Sequence, residues 1–327
     1  MDKLSQRLSE WWSLCKARPW QAIAAAGAAF FFLGFLAIAP ASDFTSNTEV
    51  HIARGSTLPQ AADALAEAHV IAHPLVLRVV LHLFGESDHI QAGLYRFTKP
   101  ENTLVVARRL VIGAYGVPLI RMTFIEGVTV REAALQVTKA FPWISSDAFR
   151  AAAGGQEGYL FPDTYFFQPS DDTVSIIKAM RSNFDKKIAT LAGDIRASGH
   201  SEHDIVTMAS LLEKETRTDA DRRIVSGILW NRIKLGMPLQ VDAVFGYIND
   251  RPTYSPSSSD LKIDSPYNTY KYRGLPPGPI CNPGLDALEA AANPAKTPYL
   301  YYITGKDGLM HYAKTYPEHQ ANLRKYL

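Results

Sequence analysis

The chain has 327 residues, 47% of them apolar and 20% charged, with a formal charge of +2. That composition excludes a disordered polypeptide, and the small charge without a long basic run excludes a nucleic-acid binder. The length suits about two globular domains with attachments.

The first element in chain order is the uncharged stretch "WQAIAAAGAAFFFLGFLAIAP" at residues 20–40. As a helix it reaches about 30 Å, the thickness of a bilayer core. Lys3, Arg7, Lys16 and Arg18 precede it, and Asp43 and Glu49 follow. This asymmetry puts the N-terminus in the cytoplasm and the remaining chain outside. A cleaved signal peptide would have a shorter apolar region, roughly 7–15 residues. The expectation is a single-pass transmembrane anchor between a cytoplasmic tail (1–19) and a polar linker (41–48). Cys15 and Cys281 flank the segment, so they cannot bridge within one chain, and they give no zinc spacing.

Residues 49–153 read as α+β, built from strand–turn–helix units. Val50 and Ile52 alternate as in a strand, Gly55-Ser56 turns the chain, and Ser56 or Thr57 caps a helix. A strand near Tyr95 precedes a helix with Leu104, Val105, Ala107 and Leu110 inward. A strand over 119–125 leads through Glu126-Gly127 and a capping Thr129 to a helix ending at Ala140. A module of this kind reads either as a glycan- or peptide-binding unit or as a rigid spacer. Gly154-Gly155 then breaks the chain, and residues 154–327 form a mixed α+β second region. The aromatic block Tyr159, Phe161, Tyr165, Phe166 and Phe167 reads as core or as the wall of a sugar cleft.

From Asp204 the periodicity is helical, with Ile205, Met208, Ala209 and Leu212 on one stripe. Glu213 and Glu215 lie on opposite flanks of that stripe, about 160° apart, so they cannot serve one site as a close pair. Arg217 stands four residues after Glu213, the spacing of an intrahelical ion pair. Either glutamate reads as a solvated flank or as an acid. A carboxyl at the edge of an apolar stripe has its proton affinity raised by burial, which suits general-acid chemistry. A second helix spans 222–234 and stops at Gly236, and Gln240 and Asp242 occupy the following turn. The long loop "SPYNTYKYRGLPPGPICNPG" (265–284) carries Asn268, with both donor and acceptor, and the stacking faces of Tyr267 and Tyr270. A strand, an Asp307-Gly308 hairpin turn, a second strand and a closing helix end the chain. His311 and His319 lack a third ligand, so no metal is expected.

Several long motifs in order, "EGYLFPDTYFF" (157–167), "ASLLEKET" (209–216), "NRIKLGMPLQVD" (231–242), the 265–284 loop and "AANPAKTPYLYYI" (291–303), resemble the endolytic murein transglycosylases of the YceG/MltG-like family. The resemblance implies an inner-membrane protein with a LysM-like α+β subdomain and a periplasmic catalytic domain. It implies non-hydrolytic cleavage between N-acetylmuramic acid and N-acetylglucosamine within nascent peptidoglycan strands, forming 1,6-anhydro ends and limiting strand elongation. It places the catalytic acid at Glu213, with Glu215 the less favoured choice, and requires no cofactor; Gln240, Asp242, Asn268, Tyr270 and Glu215 are expected to bind substrate. Partners implied are glycan strands, the inner membrane and peptidoglycan synthases. A tethered glycan-binding scaffold that cleaves nothing is the alternative. The family usually continues Asp-Pro-Thr where this chain has Asp242-Ala243-Val244, which puts a hydroxyl's role there in question.

Overall fold

A computed structural model describes residues 19–86, 89–251 and 255–327. The expected cytoplasmic tail, with Cys15, lies outside the described residues apart from Pro19. Helix α1 (Pro19–Ile38) falls where the anchor is expected. Side chains at 19, 21, 22, 25, 26, 29–31 and 33 lie outside the described ones. Among the described residues no helix is long and apolar enough to cross a membrane.

The chain divides into two compact units between Leu119 and Ile120. In the first, strand β1 (Thr48–Ile52), helices α2 (Leu58–Glu67) and α3 (Pro74–Leu83), strand β2 (Gly93–Phe97) and helix α4 (Thr103–Ile112) follow in order. β1 and β2 pair antiparallel, with Thr48 opposite Phe97 and Ile52 opposite Gly93. Thr57 caps α2 through a reciprocal capping box with Gln60, which satisfies two otherwise free N–H donors. Leu65, Leu77, Leu81, Tyr95, Phe97 and Leu110 form the core. The α3 helix adds an element not expected from the sequence: Pro74 occupies its first turn, and Leu77 and Leu81, four residues apart, are buried.

In the second unit, strand β3 (Ile120–Thr123) pairs antiparallel with β4 (Thr164–Phe167). Between them lie α5 (Val130–Ala140), capped by Thr129, and α6 (Ser146–Ala152). The sequence reading set its boundary at 153/154. The β3–β4 pairing explains why the strand and helix at 120–140 belong with the second unit. Phe161 and Phe167 are buried, while Phe166 is exposed, so the aromatic block is largely core.

Helices α7 (Thr173–Thr190), α8 (Ala192–Ser198), α9 (Glu202–Glu215), α10 (Asp219–Lys234), α11 (Val244–Asn249) and α12 (Leu285–Ala292) follow. The hairpin β5 (Tyr301–Thr304) and β6 (Met310–Ala313) and helix α13 (Tyr316–Tyr326) close the chain. α9 is the centre of this unit. Every residue from Ile205 to Leu212 is buried, not one stripe alone, because neighbours surround it. Thr207 and Ser210 are therefore buried as well. Ser210 Oγ donates to the Thr207 carbonyl and accepts the Ile280 N–H at 3.0 Å, which ties the end of the 265–284 loop to the helix.

Candidate active site

Three charged side chains follow one another on the last turn of α9, and at 100° per residue they leave in three directions. The helix ends at Glu215, and Thr216 is extended. Arg217 is therefore off the helix. The intrahelical Glu213–Arg217 pair expected from sequence does not form, since i,i+4 neighbours meet only while the helix continues.

Glu213 turns toward the start of α12. Its Oε2 accepts the Gly284 N–H at 2.9 Å, and its Oε1 stands 3.8 Å from the Arg222 guanidinium. Both side chains are nearly enclosed, with 8% and 7% of their surface exposed. Gly284 is the N-cap of α12, so the carboxylate sits where unpaired N–H groups and the helix dipole favour negative charge. Arg222 also donates to Asp219 at 3.0 Å, and its Nε is buried without a partner among the described residues.

Glu126 borders the same glycine. A Cβ on Gly284 would fall 2.0 Å from Glu126 Oε1, so only glycine leaves room for that carboxyl. Glu126 opens to solvent, but desolvation of its carboxyl, and then the charges of Glu213 and Asp286, hold it above the ordinary carboxylate range. The arrangement is a carboxylate given hydrogen-bond donors beside a second carboxyl inclined to keep its proton.

Glu215 leaves on the opposite flank and enters a different network. Tyr302 donates to its Oε2 at 3.0 Å, and Tyr270 donates to Asp242 nearby. Burial, followed by the Asp242 charge, pushes Glu215 up to about 7, against the lowering effect of the Tyr302 hydrogen bond. Part of Glu215 remains accessible, but its carboxylate is packed among these groups. Asp242 is also raised by burial. The structure thus brings Glu215, Asp242 and Tyr270 together, apart from the partners of Glu213.

The other two expected residues do not reach Glu213. Asn268 is fully buried; its Nδ2 donates to the carbonyls of Leu261 and Ile263 at 3.1 and 2.9 Å, and its Oδ1 accepts the Tyr270 N–H. Its amide is committed to the loop's own backbone. Gln240 is exposed in a left-handed conformation (φ 53°), and its N–H donates to the Thr269 carbonyl.

Lys214 takes the third direction and borders a cleft of about 950 Å³ formed by α5, the end of α6, residues 153–157 and α11. A Cβ on Gly127 would lie 3.3 Å from Lys214 Nζ and 3.5 Å from Glu213 Cγ, so the cleft and Glu213 adjoin across this residue. Glu157 lines the cleft and accepts the Val130 N–H at 3.0 Å. Burial pushes it up to about 7. Asn282 holds this wall: it donates to the Val128 carbonyl and accepts the Leu160 N–H, each at 2.9 Å. Sequence reading missed Glu126, Arg222, Gly284 and Asn282 as site residues. The Glu126-Gly127 turn was visible; its partner 158 positions later was not.

The final turn of a buried helix in this α+β fold thus holds an enclosed carboxylate against another helix's N-terminus and a guanidinium. The sequence model of the YceG-like family matches residues 50–325, and the chain belongs to this family. It is similar to the Bacillus subtilis endolytic murein transglycosylase, 32% identical over 92% of this chain and 91% of that protein. It is also similar to the Streptococcus pneumoniae protein of the same name, at 28% identity over 85% of this chain but 58% of that longer protein. A crystal structure of a YceG-like protein from Listeria monocytogenes superposes with a TM-score of 0.59 at 28% identity, covering 84% of this chain and 98% of that one.

Proposed function

We infer that the chain is a lytic transglycosylase that cleaves murein glycan strands internally, with Glu213 as its acid and base. The single observation that carries this choice of residue is the hold on its carboxylate by the Gly284 N–H and Arg222. In the reaction, protonated Glu213 gives its proton to the glycosidic oxygen as the bond to C1 of the muramic residue breaks. The muramic acetamido group supports the electron-poor C1. The carboxylate so formed is the species that Gly284 and Arg222 stabilise. It then takes the proton of the C6 hydroxyl, whose oxygen attacks C1 and closes a 1,6-anhydro ring. An intramolecular nucleophile needs no water-activating partner, so one shuttling carboxyl suffices. Beside it, desolvation and the charge of Glu213 raise the proton affinity of Glu126. Asn268 holds the loop, and Asp242 and Tyr270 brace Glu215; none of the three touches sugar in this reading.

The uncharged segment at residues 20–40 acts as a single-pass inner-membrane anchor that places both units in the periplasm beside newly made strands and their synthases. The order β1–α2–α3–β2 of the first unit supports a LysM-like, glycan-holding role for it.

The test is mass spectrometry of purified glycan strands digested by the full chain. Wild type yields anhydro-ended fragments, and Glu213→Gln lowers them by at least about a thousandfold at an unchanged melting temperature. Undiminished product removes the assignment, and a greater loss from Glu215→Gln transfers the role to that residue. Reducing ends in place of anhydro ends would make the enzyme a hydrolase.

A further inference from the structure

The cleft next to Glu213 is not used by the mechanism above, and its lining is unlike that of a sugar groove. Its walls carry four basic and four acidic side chains, with Leu135 and Tyr247 among the apolar ones. At about 950 Å³ it is at the upper end of small-ligand pockets, room for several amino-acid residues. Among its charged groups, Arg131 is tied to Asp250 at the rim. Arg150 is exposed and has only Asp147 at 3.8 Å, itself almost fully in solvent. Lys214 is half-buried and has no hydrogen bond or ion pair among the described residues. Its charge is felt by the Glu157 carboxyl, but no anion stands within ion-pair distance of this half-buried ammonium among the described residues. Glu157 gives Lys214 no hydrogen bond: its carboxyl accepts from the Val130 N–H and the Asn282 amide at the back of the cleft. With Arg251 also on its wall, and Glu132 and Asp147 among its acids, the site offers Lys214 and Arg150 to an anionic group, with a hydrogen-bonding carboxyl behind them.

We propose that this cleft binds a short peptide bearing free carboxylates, of the kind murein strands carry on their muramic lactyl groups, with Lys214 and Arg150 as its counter-charges. The peptide's identity rests on the transglycosylase reading; the cleft's preference for a carboxylated peptide does not. Because the Lys214 and Glu213 side chains both border Gly127, a peptide seated there fixes which glycosidic bond of the strand lies at the acid.

Binding without turnover tests this. The probes are a soluble N-acetylmuramyl-pentapeptide, which has no glycosidic bond to cleave, the same molecule with its carboxylates amidated, and a peptide-free chitooligosaccharide. Calorimetry on the full chain is expected to show saturable binding of the first probe. Amidation, Lys214→Gln and Arg150→Gln should each weaken it about tenfold, the usual size of a charge-assisted hydrogen bond. The Arg150→Gln change is on an exposed side chain and guards against misfolding of the Lys214 variant. No binding of the carboxylated probe, equal binding of the amidated one, or indifference to both substitutions overturns the proposal. Loss of anhydro product with binding intact would instead count against the transglycosylase reading alone.

Discussion

Gly284 shows how much chemistry one missing methylene group supports. Its N–H donates to Glu213, and the space where a side chain would begin is filled by the Glu126 carboxyl. Its backbone is extended, with φ −75° and ψ 173°, which alanine adopts without strain. Gly284→Ala should therefore fold with a melting temperature within a few degrees of wild type. The new methyl must push Glu126 out of the site. Anhydro-product formation should fall about tenfold or more, and Glu126→Gln should show a loss of similar direction. A Gly284→Ala enzyme of full activity would show that Glu126 has no part in the site. Neither partner of Glu213 was visible from local pattern. The i,i+4 rule pointed to Arg217, whereas the partners are Arg222, beyond the helix end, and a backbone donor 71 positions away. The opposite flanks of Glu213 and Glu215 were legible, because 100° per residue holds wherever the helix is intact.

At the scale of elements, caps and periodicity were the readable features. Thr57 and Thr129 cap their helices with capping boxes, and the Asp307-Gly308 turn joins two paired strands. What resisted reading was the 265–284 loop, because its order comes from contacts distant in sequence. Asn268 was expected to meet sugar, since its amide can both donate and accept. In the fold, that capacity serves the carbonyls of Leu261 and Ile263 and the N–H of Tyr270. Asn268→Ala would leave these buried groups without partners at a cost of about 3 kcal/mol. The melting temperature should then fall by roughly 6–12 °C, at 2–4 °C per kcal/mol for a unit of this size. A raised KM with unchanged melting would instead return Asn268 to the substrate.

The whole molecule responds to pH through its raised carboxyls. Glu157 and Glu215 are each pushed up to about 7 from an ordinary 4.5, in both cases chiefly by burial. Each binds a proton more tightly folded than unfolded. Their contribution is thus fully present below the unfolded value and is lost as pH rises through about 7. Glu126 and Asp242 are raised as well and act in the same direction. His319 opposes them: burial holds it below its ordinary value, so it disfavours the folded state as pH falls. It is one partly exposed ring against two enclosed carboxyls. The lowered carboxyls Asp260, Asp264 and Asp307 lose their protons below this window and leave the balance there unchanged. Between pH 5 and pH 8 each of the two glutamates should withdraw a few kcal/mol. The melting temperature should then be about 10 °C lower at pH 8 than at pH 5. Glu157→Gln with Glu215→Gln should flatten that slope, since an amide keeps the hydrogen-bond geometry and cannot ionise. The same desolvation that makes these groups costly at pH 8 leaves each of them about half protonated near pH 7. A wild-type melting curve that is flat or rises from pH 5 to pH 8 would mean both carboxyls ionise freely in the fold. Glu157 would then be an anion at the back of the cleft, opposed to the carboxylated peptide assigned to it.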